Sequence, residues 1–267
     1  MKTIDKIMRC ERKYAECFCI ASEQQDFTRF RDALIPDMYY HNYTWVKNAK
    51  DDLALIRLIE DEINCSKRTG RDFCLVRCPM PVSKSILAQL SHTPEVAMSG
   101  YYLFDISDLP KLNSTAQCSI HKVDKPEMVE DILRLDLEHD EDSLGGDFCT
   151  RRVYRRKDVY LSNEGVDSYV CYDSDGAVGS CDMFIFGDTA KIEDFAILPR
   201  KQRKGYGTAI LKILIDIAIK RNATTIYLET DTDGGAQQMY LKCGFSKVFE
   251  FTDLIFTDLT SSPGSRS

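Results

Sequence analysis

No run of this sequence comes near the roughly 20 consecutive apolar residues that a membrane-spanning helix needs. The opening residues, Met1 to Lys13, are charged and lack the apolar core of a secretion signal, so a cytoplasmic chain is expected. Basic residues are not in excess either. Lys and Arg number 35 against 42 Asp and Glu, a net charge of −7, which argues against a general nucleic-acid binder. Cysteine is plentiful, but the spacings that make it structural are missing. The eleven cysteines are odd in number, and neither Cys17-x-Cys19 nor Cys74-x-x-x-Cys78 belongs to a paired zinc set. The four histidines, at 41, 92, 121 and 139, form no ligand motif, so no metal is expected and the thiols read as small buried hydrophobes. The Walker pattern Gly-x-x-x-x-Gly-Lys-(Ser/Thr) and the Rossmann Gly-x-Gly-x-x-Gly are both absent, which weakens any nucleotide-binding reading.

What is present is an alternation of α and β signals. Residues 14–20 leave helix and strand both open. Phe27 to Ile35 reads as a helix stopped by Pro36. Tyr39 to Val46 is aromatic and β-branched, hence a strand around the single tryptophan, Trp45. Leu53, Ile56, Ile59 and Ile63 recur at helical spacing. A strand at Asp72–Cys78, a helix at Val82–Leu90 and a strand at Val96–Ile106 follow. Leu109 to Ala116 reads as a linker. Beyond it come a strand at Cys118–Val123, a helix from Pro126 to about Leu137 and an acidic turn at His139-Asp140-Glu141-Asp142. Gly145-Gly146 breaks the chain there. The arginines of Arg151–Arg156 read as a solvated helix face. Val166–Tyr172 and Ala177–Phe186 make a hairpin across Asp173-Ser174-Asp175-Gly176. Ser261 to Ser267 reads as a frayed polar tail.

The densest signal is at 191–221. Lys191 to Leu198 reads as a strand, Pro199 stops it, and Lys201 to Lys204 form a basic loop before a helix from Gly205 to about Arg221. The first N–H groups of a helix have no helical acceptor, and the helix dipole adds partial positive charge. Glycines there let a ligand approach the backbone, and Arg203 and Lys204 add full charge, which makes a cradle for pyrophosphate.

Gln202-x-x-Gly205-x-Gly207 after a strand resembles the (Arg/Gln)-x-x-Gly-x-(Gly/Ala) motif of the GNAT acetyltransferase superfamily, and Tyr240 before Cys243-Gly244-Phe245 resembles that family's Tyr-x-x-x-Gly-Phe ending. The likeness covers roughly 118–259 and implies an α/β mixed (α+β) sheet of acyl-CoA N-acyltransferase type. It implies acetyl-CoA as co-substrate, held by Phe195, Ala196, Ile197, Gln202, Arg203, Lys204, Gly205, Tyr206, Gly207 and Thr208. Tyr240 matches the tyrosine that protonates the leaving thiolate. Glu229 stands where some members carry a base. Glu193 and Asp194 are the other strand carboxylates, expected on opposite faces by alternation. Burial raises a carboxyl's pKa, which suits a base. Many members carry Asn before the Tyr helix, where this chain has Asp231-Thr232-Asp233-Gly234-Gly235.

Helix, strand, helix, strand over about 51–106 mirrors the same order over about 205–256, so residues 1–112 read as a degenerate copy of 117–260. The first copy lacks the glycine cradle before its long helix. The expected function is N-acetyl transfer from acetyl-CoA to an amine acceptor in a ternary complex; the alternative is a non-catalytic acyl-CoA-binding sensor. Partners are acetyl-CoA and the amine, with no nucleic acid and no membrane, and a homodimer is compatible with this set.

Overall fold

The computed structural model describes residues 2–162, 165–232 and 235–260. The expected tail Ser261–Ser267 and residues Asp233 and Gly234 of the loop noted above lie outside them. In chain order the helices and strands are α1 (Thr3–Glu16), β1 (Ile20–Glu23), β2 (Phe27–Arg31), β3 (Tyr43–Val46), α2 (Asp52–Arg68), β4 (Cys74–Cys78), α3 (Lys84–Leu87) and β5 (Glu95–Phe104). Then come β6 (Ser119–Lys122), α4 (Pro126–Leu144), α5 (Gly146–Leu161), β7 (Val166–Asp173), β8 (Gly176–Phe186), β9 (Thr189–Ile197), α6 (Tyr206–Lys220), β10 (Thr225–Asp231), α7 (Gly235–Lys242) and β11 (Phe245–Phe256). Short 3₁₀ turns lie at Tyr39–His41, Ile106–Lys111 and Pro199–Lys201. No helix among the described residues is long and apolar enough to cross a membrane, and none of the eleven cysteines, all described, is in a disulfide.

Three expectations are corrected, and one open stretch is resolved. Of residues 14–20, Tyr14–Glu16 end α1 and Ile20 opens β1; α1 is an amphipathic helix that buries Ile7, Cys10 and Ala15 together with the charged Glu11. Phe27–Arg31 is a strand, not a helix. Thr28 and Phe30 alternate inward, and pairing with β1 and β3 on either side decides the matter over a local pattern that fits both periods. In α2 the buried stripe is Leu55, Ile59, Glu62, Ile63 and Ser66, while Leu53 is exposed. Glu62 can be inside because Arg29 and Thr44 satisfy it. The acidic turn at 139–142 is the last part of α4, which runs on to Leu144 and ends at Gly145 with φ +82°.

The chain forms two compact units that interleave in sequence. One holds Met1–Phe18, Tyr101–Thr230 and Gly234–Val248; the other holds Cys19–Gly100, Asp231–Asp233 and Phe249–Ser267. In the first, strands lie in the order β5-β10-β9-β8-β7-β6. The meander β6 to β9 is antiparallel, and α6 carries the chain across to β10, parallel to β9. Its core is apolar: Ile210, Leu211, Leu214 and Ile215 of α6 pack with Ala190 and Ile192 of β9 and Ile226 and Leu228 of β10. In the second, the order is β1-β2-β3-β4-β11. There α2 carries the chain from β3 to β4, again parallel, and β11 pairs antiparallel with β4. Each unit thus follows a meander, a parallel crossover and a final strand.

In the second unit one ion pair is fully enclosed. Arg77 on β4 donates to both carboxylate oxygens of Asp253 on β11, at 2.8 and 3.0 Å, and Arg77 also donates to Ser99. Asp253 has no exposed side-chain surface. Removing one member strands the other without solvent, which costs about 3–5 kcal/mol. Asp253→Ala should therefore lower the urea midpoint by that order, and a loss below about 1 kcal/mol would show that Arg77 finds water instead.

Candidate functional site

Strand β9 is regular up to Ile192 and then changes. Asp182 of β8 opposes Glu193, while Ser180 opposes Ala196, so β9 spends one extra residue there. Asp194 takes that bulge with φ +47°. The simple alternation expected for Glu193, Asp194 and Phe195 is therefore interrupted. On the other side β9 pairs with β10 only over 189–192 against 225–228. Beyond Ile192, then, the backbone of β9 has no β10 partner in that register, which leaves an open edge at Phe195, Ala196 and Ile197.

The open edge leads into the basic loop. Gln202 Nε2 donates to the carbonyl of Ile197 at 3.0 Å and ties the loop back to the strand end. Arg203 adopts φ +57° and Gly205 φ +88°, two left-handed residues that turn the chain sharply into α6. Gly205 is held by Ser114, which donates to its carbonyl at 2.8 Å, and a Cβ there would come 2.7 Å from that hydroxyl. At Gly207 a Cβ would come 2.7 Å from the Met239 sulfur of α7. The left-handed turn under Ser114 favours glycine at 205, Gly207 packs against Met239, and the first N–H groups of α6 have no helical acceptor.

That space is a cleft of about 500 Å³. Of the residues expected to hold acetyl-CoA, Phe195, Ala196, Ile197, Gln202, Arg203, Gly205, Gly207 and Thr208 line it. Lys204 and Tyr206 do not. The Tyr206 hydroxyl turns away and donates to Asp173 at 2.7 Å, where Lys201 joins it at the same distance. Tyr240 of α7 lines the inner end of the cleft. It is 5% exposed, stands edge-on to Phe195, and its hydroxyl makes no hydrogen bond among the described residues. Burial, with the charge of Glu193 adding to it, holds its phenol well above the usual tyrosine range, so the proton stays on.

Glu193 and Glu229 are brought together, but around a cation. Lys191 on β9 is buried and lies 2.8 Å from Glu193, 3.9 Å from Glu229 and 2.8 Å from Glu11 of α1. Its ammonium also sits 4.6 Å from the centre of the Tyr14 ring. Tyr227 donates to the second oxygen of Glu11 at 2.8 Å. Three carboxylates push the lysine's pKa above its ordinary value against the opposing cost of burial. Neither Glu193 nor Glu229 lines the cleft.

A smaller cavity of about 200 Å³ adjoins the cleft, between α4, α5 and the β7–β9 strands. The arginines of α5, expected on a solvated face, partly turn into it. Arg152 bridges Asp136 and Asp140 of α4, at 2.6 and 2.5 Å, and Arg156 pairs with Asp194. Asp182 is 2% exposed and accepts from Tyr160 at 2.8 Å. Burial is the largest influence on its carboxyl and pushes it up to about 6, despite the opposing pull of Arg156, Ser168 and Tyr160. No sequence signal points to this cavity. Its residues come from five separate segments whose spacing carries no motif.

The fold and the cleft define a class. Residues 128–245 match the model of the acetyltransferase (GNAT) family, which bears out the resemblance read from the loop and from Tyr240. Among curated proteins the chain is similar to an uncharacterized N-acetyltransferase, CgeE, of Bacillus subtilis, at 33% identity over 107 residues, covering 38% of this chain and 41% of the relative. The chain thus matches about two fifths of that relative's length. Among solved structures it is similar to a GCN5-related N-acetyltransferase from Kribbella flavida, with TM-score 0.70, 12% identity and 94% of each chain covered. It is also similar to a tandem GNAT protein from the clavulanic acid biosynthesis pathway, with TM-score 0.58, 10% identity, 87% of this chain and 79% of the other covered. These likenesses show a GNAT-type mixed α/β fold.

Asp182 gives the site a pH signature. Its folded-state value of about 6 lies above the ordinary 3.8, so the folded protein holds the proton more tightly. That stabilisation is complete below the ordinary value and is lost as pH rises through about 6, by up to about 3 kcal/mol. Urea unfolding of wild type and Asp182→Asn at pH 4.5 and pH 7.5 should show a smaller loss with rising pH in the variant. Equal losses in the two proteins would mean that Asp182 ionises freely in the fold.

Proposed function

We propose that this protein is an N-acetyltransferase that transfers the acetyl group of acetyl-CoA to an amine by direct attack. The observation that carries the reading is the cleft itself. It joins an unpaired strand edge at Phe195–Ile197 to a glycine-tight helix start at Gly205–Thr208, with a protonated, unbonded tyrosine at its inner end. The open β9 edge suits a pantetheine arm, whose amides would pair with it as an added strand does. The N–H groups at the start of α6, with Arg203, suit the pyrophosphate. The residues present fit acetyl-CoA, because Gly205, Gly207 and Thr208 at the start of α6 line the cleft beside Arg203. When bound, acetyl-CoA supplies the activated acyl carbon. Tyr240 then delivers a proton to the departing sulfur, and its raised pKa keeps that proton available at neutral pH. Lys191 holds Glu193 and Glu229 in place, and the negative charge of Glu193 keeps Tyr240 from ionising. The same reading divides the sequence into a degenerate copy at 1–112 and a working copy at 117–260, and places the protein in the cytoplasm.

Calorimetry with acetyl-CoA should give one site per chain, because α2 is preceded by Val46-Lys47-Asn48-Ala49-Lys50 and not by a glycine cradle. Gly207→Asp should weaken that binding at least about tenfold, roughly 1.4 kcal/mol, by placing a carboxylate among the phosphates. Unchanged affinity would move the phosphate site elsewhere, and two sites per chain would refute the degenerate copy.

Tyr240→Phe removes a hydroxyl that no neighbour binds, so the melting temperature should barely change. Turnover should fall about 10²–10⁴-fold, the usual worth of a positioned acid. Full turnover in the variant would assign the proton to another donor. A protein that binds acetyl-CoA but transfers to no amine in a broad panel would be a sensor.

A further inference from the structure

The cleft and the smaller cavity share only three lining residues: His139, Phe195 and Ala196. An acceptor seated in the cavity and an acyl group at the inner end of the cleft meet where these three stand. Phe195 and Ala196 carry no group that takes a proton. His139 does, and it is set up for the task. Its Nδ1 lies 2.7 Å from Asp140 Oδ1, so the carboxylate fixes the proton on Nδ1 and leaves Nε2 with its lone pair. The carboxylates expected in this role are engaged otherwise, around Lys191 and off the cavity walls.

The walls of the smaller cavity also say what it takes. Four aspartates, at 136, 140, 182 and 194, face two arginines, at 152 and 156. Arg152 is bonded to Asp136 and Asp140, and Arg156 to Asp194. Asp182 is bonded by the hydroxyls of Tyr160 and Ser168, and the charge of Arg156, itself paired with Asp194, acts on it as well. It is 2% exposed and still lines the cavity. Four carboxylates against two guanidiniums leave the walls with negative charge in excess, which favours a cationic guest.

We propose that the smaller cavity is the acceptor site, that it takes a short aliphatic diamine, and that His139 is the base that deprotonates the reacting amine. The inference rests on the acetyltransferase reading above. One ammonium of the diamine is held at Asp182. The other, at the junction, gives a proton to His139 Nε2, and the freed nitrogen attacks the acyl carbon. The N–C bond forms, the C–S bond breaks, and the thiolate takes the proton of Tyr240. The amine's remaining proton is lost to solvent, and His139 passes its own proton to the tyrosinate, which restores both side chains.

The test follows release of free CoA thiol from acetyl-CoA with 1,3-diaminopropane, 1,4-diaminobutane, butylamine and glycine as acceptors. The diamines should be used with kcat/KM at least about tenfold above butylamine, and glycine should be inert. His139→Ala should cut turnover on the better diamine by about 10²–10⁴, leave acetyl-CoA affinity by calorimetry unchanged, and regain part of its rate when free imidazole is added. Imidazole rescue separates loss of a base from loss of structure. His139→Gln, which keeps a polar side chain of similar reach, should be equally slow. Undiminished turnover in His139→Ala, a loss that imidazole does not relieve, or a preference for butylamine or glycine would each overturn the proposal. If the wild-type protein binds acetyl-CoA and turns over other amines but no diamine, the charge argument fails and the acetyltransferase reading stands. If it binds no acetyl-CoA at all, that reading falls and takes this one with it.

Discussion

Lys191 is the constraint on which the first unit is built. Enclosing an ammonium costs several kcal/mol in lost hydration unless charge and hydrogen bonds replace the water. Here three carboxylates do so, and they come from α1, from β9 itself and from β10. The lysine thereby fixes the amino-terminal helix to the strand pair that carries the cleft. Glu11 is buried for the same reason, and Tyr227 and Tyr14 close the cluster with a hydroxyl and a ring face. Arrangements of this kind are sensitive, because each member would be destabilising without the others. Glu193 and Glu229, the two strand carboxylates, both stand beside the buried lysine, at 2.8 and 3.9 Å.

The cleft arises where the sheet of the first unit stops being regular. The pairing of β9 with β10 ends at Ile192 and Leu228, and a bulge at Asp194 re-aims the residues that follow. Two consequences coincide at one place: a free backbone edge, and a strand end that delivers the chain to the start of α6. The glycines at 205 and 207 complete the geometry, the first by its left-handed turn under Ser114 and the second by its approach to Met239. One irregular strand thus forms one wall of both the cleft and the smaller cavity. Two of the three residues common to the two, Phe195 and Ala196, come from it.

The second unit repeats the plan without the cleft. Its parallel crossover from β3 through α2 to β4 matches that from β9 through α6 to β10. Asp51 caps α2 by accepting from the Ala54 N–H at 2.8 Å. A side-chain carboxylate therefore occupies the helix start that, in the first unit, is left bare between glycines. The cap satisfies one of the helix's first N–H groups and places a negative charge at its start.

The sequence by itself determined the parts that depend on neighbours along the chain. The turn at Asp173–Gly176, the stop at Pro199, the glycines at 205 and 207 and the apolar period of α6 are local signals with local causes, and the fold class followed from them. The repeated helix–strand order was legible for the same reason. What the tertiary structure decided was everything that required distant segments to meet. Phe27–Arg31 became a strand because strands on both sides paired with it. Glu11 went inside because Lys191, 180 residues later, was there to receive it. His139 and Asp140 looked like a solvated acidic turn, since nothing adjacent to them in sequence needs them. They gained a cavity only when α4 and α5 closed over the end of β9, and pairing across a sheet is invisible to any reading of one segment at a time.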